Sequence, residues 1–356
     1  MKNTILILAV SVLVFIAESC SKGDSASTPP DVVNPPNGTN PTLVVNLSQS
    51  QVSADGFDET AVTVRDANNA DITSSSTIII NSAAISGNKF YTTVAGSYQV
   101  RATRGTETSS AVTLTAANPG PSPFTQKVLA ESFSGTWCGI CPGTIIPLEN
   151  YTNTHPNVIS VGVHGPSGSG DPFQYVFDPQ LRTAYSVTGV PTVLLNRDSK
   201  WANNSTTILD NLAQRRAPLG IGFETSITGN TITVKAKVKF DVTTSLPLKI
   251  VVLLAEDNLK YNQANYGHFG LPNPIVNFNH RNVLRSAATD IFGDAIPSGQ
   301  QIKGSTWEKN YTFNAGSYVQ ANCKIIAFVL YGDNAENRKG VLNIQTVSAG
   351  QNKDFD

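Results

Sequence analysis

The sequence predicts a multidomain chain of mixed class, α/β plus all-β, with an α/β segment between two β-sandwiches. Three observations carry this. Alternating β-branched runs broken by Gly, Asn and Asp turns fill residues 42–117, apolar strands alternating with helical segments fill 124–217, and strict alternation returns over 219–350. A chain of 356 residues has room for two or three domains rather than one core. Hydrophobic residues at 40% and charged ones at 14% exclude disorder or a coiled coil as the answer for the whole chain. Twenty-five Lys and Arg against 26 Asp and Glu leave a net charge of -1, too weak a field to hold a phosphate backbone, which argues against nucleic acid as a partner.

The first residues carry an export pattern. Lys2 precedes an apolar run from Ile5 to Ile16, too short to span a bilayer, and Ala17-Glu18-Ser19 leads to Cys20. This resembles the lipobox of bacterial lipoproteins, although Ala17 stands where Leu is commoner. The resemblance implies a signal peptide over 1–19 and acyl chains on Cys20 that anchor the protein to a membrane. The alternative is an ordinary secretory signal in which Cys20 is incidental. Residues 20–41, rich in Ser, Gly, Asp, Asn and Pro, read as a flexible tether. The polar, acid-containing start after Cys20 points to the outer membrane.

Within 42–117 the strand candidates are Ala61–Arg65, Thr77–Ile80, Ser97–Thr103 and Ala111–Ala116, the spacing of an antiparallel sandwich. Ala54-Asp-Gly56 before a Thr-Val-Thr-Val strand, and Ala95-Gly-Ser-Tyr-Gln-Val-Arg-Ala-Thr103, resemble bacterial immunoglobulin-like modules. No titratable cluster occurs there, and the module reads as a spacer, with specific ligand recognition as the alternative.

After the joint Asn118–Pro123 the spacing predicts strands at 127–133, 158–164 and 192–196 and helices at 140–153, 179–186 and 205–216. Trp137-Cys138-Gly139-Ile140-Cys141-Pro142 sets two cysteines three apart where a strand becomes a helix. The unpaired amides there favour a thiolate, so Cys138 would attack and Cys141 would resolve a mixed disulfide. A structural disulfide is the alternative. Zinc would need further ligands at sensible spacing, and neither a metal nor a cofactor is called for. Downstream, Thr188-Gly-Val-Pro-Thr-Val-Leu-Leu195 starts a strand with proline. A cis peptide at Val190-Pro191 would set the Val190 backbone beside the dithiol, ready for an extended substrate.

The Trp-Cys-x-x-Cys before a helix and the Gly-Val-Pro-Thr loop resemble a thioredoxin-like domain over residues 124–217. That resemblance implies substrate contacts at Trp137, Val190 and Pro191. Thioredoxins keep a buried acid six residues before the first cysteine, whereas Glu131 stands seven before Cys138. Glu131 is therefore either a proton relay to Cys141 or a carboxylate that escapes to solvent or pairs with Lys127. The stretch Val128–Pro142 is further similar to lipoproteins related to the 28-kDa outer-membrane protein family, which combine a thioredoxin-like domain with a β-rich C-terminal domain. The family implies an envelope location without defining an activity.

His164 ends a strand and would either stabilise a thiolate or cap that strand. Phe173, Tyr175 and Phe177 suit a substrate contact or, better, packing on the sheet edge. In the last segment Asp257–Ser298 forms an Asn/Pro-rich excursion too long for a turn, holding Asp257, His268 and His280 without recognisable ligand spacing. Cys323 opens an apolar strand and reads as a buried small hydrophobe. Two functions follow as expectations. One is an enzyme, an envelope-anchored thiol-disulfide oxidoreductase acting on proteins or small thiols. The other is a non-enzymatic surface binding or adhesion protein in which Cys138-Cys141 is a staple.

Overall fold

The computed structural model describes residues 42–166, 170–336 and 338–356; the signal peptide, Cys20 and the tether lie outside the described residues. Among the described residues no helix is long and apolar enough to cross a membrane.

Residues 43–117 form two sheets. One joins Leu43–Leu47, Thr60–Asp66 and Lys89–Phe90; the other joins Gln51–Ser53, Val112–Ala117, Gly96–Arg104, Thr77–Ile80 and Ala83–Ala84. Alternation sets the packing. Leu43, Val45, Val62 and Val64 of the first sheet meet Ile78, Val100, Ala102 and Leu114 of the second in one apolar cluster, while their neighbours face outward.

The rest of the chain is built on a nine-stranded mixed sheet. Its order runs Ser199–Lys200, Thr192–Leu195, Val128–Ser134, Val158–His164, Val283–Ala287, Leu248–Glu256, Cys323–Tyr331 and Val341–Ser348, with Asp294–Ile296 also paired to Leu248–Glu256. Val128–Ser134 runs parallel to Val158–His164 and antiparallel to Thr192–Leu195. A separate sheet of Leu219–Thr228, Thr231–Phe240 and Thr306–Asn314 packs on part of one face.

Strands buried on both faces lose alternation and become continuous apolar runs. Leu248–Ala255 is such a run. Leu248, Ile250, Val252 and Leu254 face the three-stranded sheet, with Phe223, Val238 and Trp307, while Val251, Leu253 and Ala255 face the opposite cluster with Leu129, Phe133, Val161, Leu181 and Phe328. At the other end of the sheet, the helices α1 (Pro142–Thr154) and α3 (Thr206–Ala213) set Leu148, Tyr151, Leu209 and Leu212 against Val128, Ala130 and Val193. The short helix α2 (Asp178–Ala184) places Leu181 on the face opposite to α1.

This arrangement corrects the expected fold class. The local elements of 124–217 form near the predicted positions, yet they do not make a thioredoxin-like α/β domain flanked by independent sandwiches. The described chain is mostly strand, with three α-helices of 13, 7 and 8 residues. Strand Val158–His164 is not an edge, because Val283–Ala287 pairs with it in parallel at Gly162↔Val283 and carries the sheet onward into the C-terminal strands. One sheet and one apolar cluster therefore serve residues on both sides of position 218. The reason is non-local: Val283–Ala287 lies inside the excursion 257–298, where a strand partner more than a hundred residues from Val158 leaves no mark in local periodicity.

A fragment of residues 124–217 is accordingly expected not to fold alone, since Leu129, Phe133, Val161 and Leu181 would lose Val251, Leu253 and Phe328. Cooperative thermal unfolding of that fragment, followed by circular dichroism, would contradict the shared sheet.

Candidate functional site

Cys138 and Cys141 form a disulfide, with an S–S distance of 2.05 Å and Cα atoms 5.4 Å apart. The turn that holds them is local. Cys138 N donates to Gly135 O and Cys141 N to Cys138 O, and Cys141 then caps α1, its carbonyl accepting from Thr144 and Ile145 while Pro142 occupies the first helical position without wasting a donor. Both sulfur-bearing residues are buried, Cys138 at 4% exposure and Cys141 at 0%.

The burial comes from the excursion. Strands Leu259–Gln263 and Ile275–His280 make a hairpin whose inner edge lies on the cysteine loop. Gln263 Nε2 donates to Gly135 O (3.1 Å) and Cys138 O (3.0 Å), Ala264 N to Thr136 O (2.8 Å) and Tyr266 N to Gly139 O (2.7 Å). Glycine at 139 lets the Tyr266 ring lie against the loop, because a Cβ there would stand 2.4 Å from the ring and displace it. His268 covers Gly143 in the same way, with a Cβ only 2.7 Å from its ring.

Val190-Pro191 is cis. Both residues are half-buried, and Pro191 lines a cavity of about 390 Å³ with Thr144 from the first turn of α1, so the proline loop flanks the cysteine-bearing helix start. Trp137 is half-buried, its indole Nε1 donating to Gly165 O at 3.4 Å. His164 is buried and its Nδ1 lies 3.0 Å from Asp171, whose carboxylate also accepts from the backbone N–H of Thr136 at 2.7 Å. Burial works to raise the Asp171 carboxyl, but the hydrogen bond and charge of His164 hold it below the usual range. His164 thus acts on the cysteine loop through Asp171 and Thr136.

Glu131 takes another place. Its strand alternates, so Leu129, Glu131 and Phe133 point away from α1. There Glu131 meets Arg197 in a bidentate ion pair at 2.8 and 2.9 Å, both side chains inaccessible. Arg197 also donates to Ile291 O and lies 4.8 Å from the Phe328 ring centre. Burial opposes the Arg197 charge and Glu131 more than offsets it, so the guanidinium stays protonated. Breaking such a pair by removing one partner typically costs about 3 to 5 kcal/mol. The carboxylate is spent on that pair rather than escaping to solvent or pairing with Lys127, and Lys127 instead bonds Asp356.

Ser132, six residues before Cys138, is the one that faces α1. It lines a cavity of about 30 Å³ with Glu149, His164, His280 and Arg281. Ser132 Oγ and His280 Nε2 are buried there without a hydrogen-bond partner among the described residues. Burial raises the Glu149 carboxyl to about 7, against the pull of Arg281. Burial and the neighbouring His164 lower His280 to about 3. Glu149 was missed in the sequence, although its spacing of four from Ile145 sets both on one helix face.

The remaining candidates disperse. Asp257 pairs with Lys324 at 2.6 Å, His268 sits over Gly143 and His280 lines the small cavity. No group of three or more His, Cys, Asp or Glu suited to a metal occurs among the described residues. Tyr175 is buried in the sheet cluster, Phe173 packs on His164 and His280, and Phe177 is exposed. Cys323 is buried among apolar side chains, which pushes its thiol up to about 11.

Residues 178–353 match the family described as Outer membrane protein Omp28. The match gives the chain an outer-membrane, cell-envelope location, and it begins beyond Cys138 and Cys141, so it covers the C-terminal strands and the hairpin rather than the disulfide. Among solved structures the chain is similar to HBP35 of Porphyromonas gingivalis, at 20% identity and a TM-score of 0.52, covering 64% of this chain and 76% of that one. That likeness concerns the fold alone. The Yersinia pseudotuberculosis adhesin InvE aligns at 9% identity with a TM-score of 0.20, over 88% of this chain and 61% of that one, which carries no argument. No curated protein matches the chain.

The two groups facing the small cavity give opposite pH dependences. Glu149, near 7 when folded against an ordinary 4.5, keeps its proton after the unfolded chain has lost it. Its share of stability is complete below about pH 4.5 and is lost as pH rises toward 7. His280, near 3 against 6.5, contributes fully above about pH 6.5 and loses that share as pH falls toward 3. Urea denaturation across pH 4.5 to 7 is therefore expected to show Glu149→Gln gaining on the parent chain by up to about 3 kcal/mol. A difference that stays constant with pH would mean that Glu149 ionises freely, beside Arg281 and Asp257, in the folded protein.

Proposed function

We propose that this outer-membrane, cell-envelope protein carries out thiol-disulfide exchange at Cys138-Cys141, with Cys138 as the attacking sulfur and Cys141 as the resolving one. The observation that carries the reading is the placement of the pair at the start of α1, whose first-turn residue Thr144 lines one cavity with Pro191 of the proline loop. Cys138 is the less buried of the two residues and precedes the helix, whose free amides favour a thiolate. Trp137, Val190 and Pro191 are the proposed substrate contacts. Glu131 has no part in it, lying on the opposite sheet face. The substrate class is a protein or small thiol.

A second reading, a non-enzymatic surface binding or adhesion protein with a structural disulfide, draws on the burial of both cysteines under the hairpin. Magnitude weighs against a staple. A bridge between residues three apart closes so short a loop that it restrains the unfolded chain by only about 2 kcal/mol, against almost 5 for a hundred-residue loop. The turn hydrogen bonds already hold the same residues.

Equilibration of the purified protein with a dithiothreitol redox buffer separates the two. Exchange chemistry is expected to give a reduction potential above about -300 mV, and the Cys141→Ser variant is expected to take up one glutathione at Cys138 from oxidised glutathione, expelling the other as its thiolate. A lower potential together with no adduct would support the staple.

The membrane anchor is proposed to be lipid on Cys20, on the strength of the lipobox resemblance. Whole cells are expected to incorporate radiolabelled palmitate into the protein, and Cys20→Ser is expected to abolish labelling and to release the chain from the membrane fraction. Retained label in that variant would remove Cys20 from the proposal.

A further inference from the structure

The hairpin over the disulfide is fastened differently from everything else in this part of the chain. No residue between 257 and 282 belongs to any of the four apolar clusters. Its two strands, Leu259–Gln263 and Ile275–His280, pair with each other and join no larger sheet. Of its residues around the cysteine loop only Gln263 and Asn265 are fully buried, whereas Tyr261, Tyr266, Phe269 and Val276 are exposed at 48, 71, 59 and 64%. A two-stranded hairpin outside the apolar clusters is marginal alone, so its hydrogen bonds to the support, with the Tyr266 and His268 rings over Gly139 and Gly143, decide whether it stays closed.

Those bonds fall on the main chain around the sulfurs. The carbonyls of Gly135, Thr136, Cys138 and Gly139 are all taken, two by the Gln263 amide and two by the backbone N–H groups of Ala264 and Tyr266. Alternate backbone N–H groups donating to the cysteine loop are what an extended peptide lying across it would supply. The base is held more firmly. Asp257 pairs with Lys324, Arg281 bonds Asn153, and His280 packs between His164 and Phe173. The tip beyond Gln263 turns through Gly267 and Gly270, both at positive φ.

We infer that residues 263–273 form a lid that occupies the peptide-binding side of the Cys138-Cys141 loop and gates the disulfide, opening from its base to admit an extended polypeptide. The inference takes the purpose of the gate from the exchange reading, but the gate itself is a statement about access. The exposed Tyr266 and Phe269 rings ride on the moving part.

The lid is tested by the rate at which dithiothreitol reduces the native disulfide. One dithiothreitol thiolate attacks Cys138 Sγ, the Cys138-Cys141 bond breaks and its electron pair leaves on Cys141. The second dithiothreitol thiolate then closes a cyclic disulfide and frees Cys138, the reagent losing two electrons and the protein gaining two thiols with the reagent's protons. Gln263→Ala, which deletes two of the four bonds, is expected to speed the first attack about tenfold while its circular dichroism stays that of the folded parent, and replacing Ala264–Pro272 by two glycines is expected to speed it further. On the unaltered protein, amide hydrogen exchange is expected to be far faster at Ala264 and Tyr266 than at Ile250 and Val252 in the sheet. Unchanged reduction rates in both variants, or Ala264 and Tyr266 exchanging as slowly as the sheet, would overturn the lid. A low reduction potential combined with accelerated reduction in the variants would sink the exchange reading and leave the lid standing.

Discussion

The contact on which the rest depends is the close approach of two backbones at Gly162. A Cβ at that position would stand 3.3 Å from the Arg281 carbonyl oxygen and 3.7 Å from Val283 Cα, and Gly162 N donates to Asn282 O at 3.0 Å. A side chain at position 162 would press on the Arg281 carbonyl, so glycine eases the close approach of Val283–Ala287 to Val158–His164. Once the two strands pair, two consequences follow from connectivity. The sheet extends from the central strands into Leu248–Glu256 and Cys323–Tyr331, and the hairpin that ends at His280, two residues before this contact, is delivered over the start of α1.

The extended sheet explains the apolar content of the C-terminal strands. Apart from Lys249, Lys324 and Tyr331, the residues of Leu248–Glu256 and Cys323–Tyr331 are buried, on one face toward the three-stranded sheet and on the other toward Phe133, Val161 and Leu181. Each such strand contributes two sets of buried side chains for one backbone. This is economical in chain length and couples the central and C-terminal segments, since Phe328 and Val251 belong to the same cluster as Leu129. The same coupling buries Glu131 and Arg197, a pair that tolerates no solvent and is neutralised only by its own partner.

What was legible in the sequence is what is local. The cysteine turn, the helix after it and the strands at 128–134, 158–164 and 192–195 follow from spacing, capping and proline chemistry within a few residues. The assembly was not legible, because the strand that completes the sheet lies in a segment whose Asn and Pro content reads as loop. The site was half legible for the same kind of reason. Glu131 sits one position from where the thioredoxin resemblance would put a relay acid, and in a strand one position is a change of face. Ser132 inherits the orientation without the chemistry, while the carboxyl that does face the cavity, Glu149, arrives from a helix. Nothing within five residues of Cys138 announces that Gln263 will bond its carbonyl.

The small polar cavity marks the seam between these parts. It is bounded by strands Val128–Ser134 and Val158–His164, by α1 and by the last residues of the hairpin. An apolar seam would have locked the hairpin down by burial, as the sheet locks its own strands. A polar one, lined by a carboxyl that gives up its proton only near pH 7, an imidazole that stays neutral there and the Arg281 guanidinium, holds the hairpin's base by polar contacts rather than by apolar burial. Firm attachment at His280, against hydrogen bonds and the two ring contacts on Gly139 and Gly143 at the tip, is the division that lets one end of a covering segment stay while the other moves. It is also why burial of the sulfurs, taken by itself, does not distinguish a sealed disulfide from a guarded one.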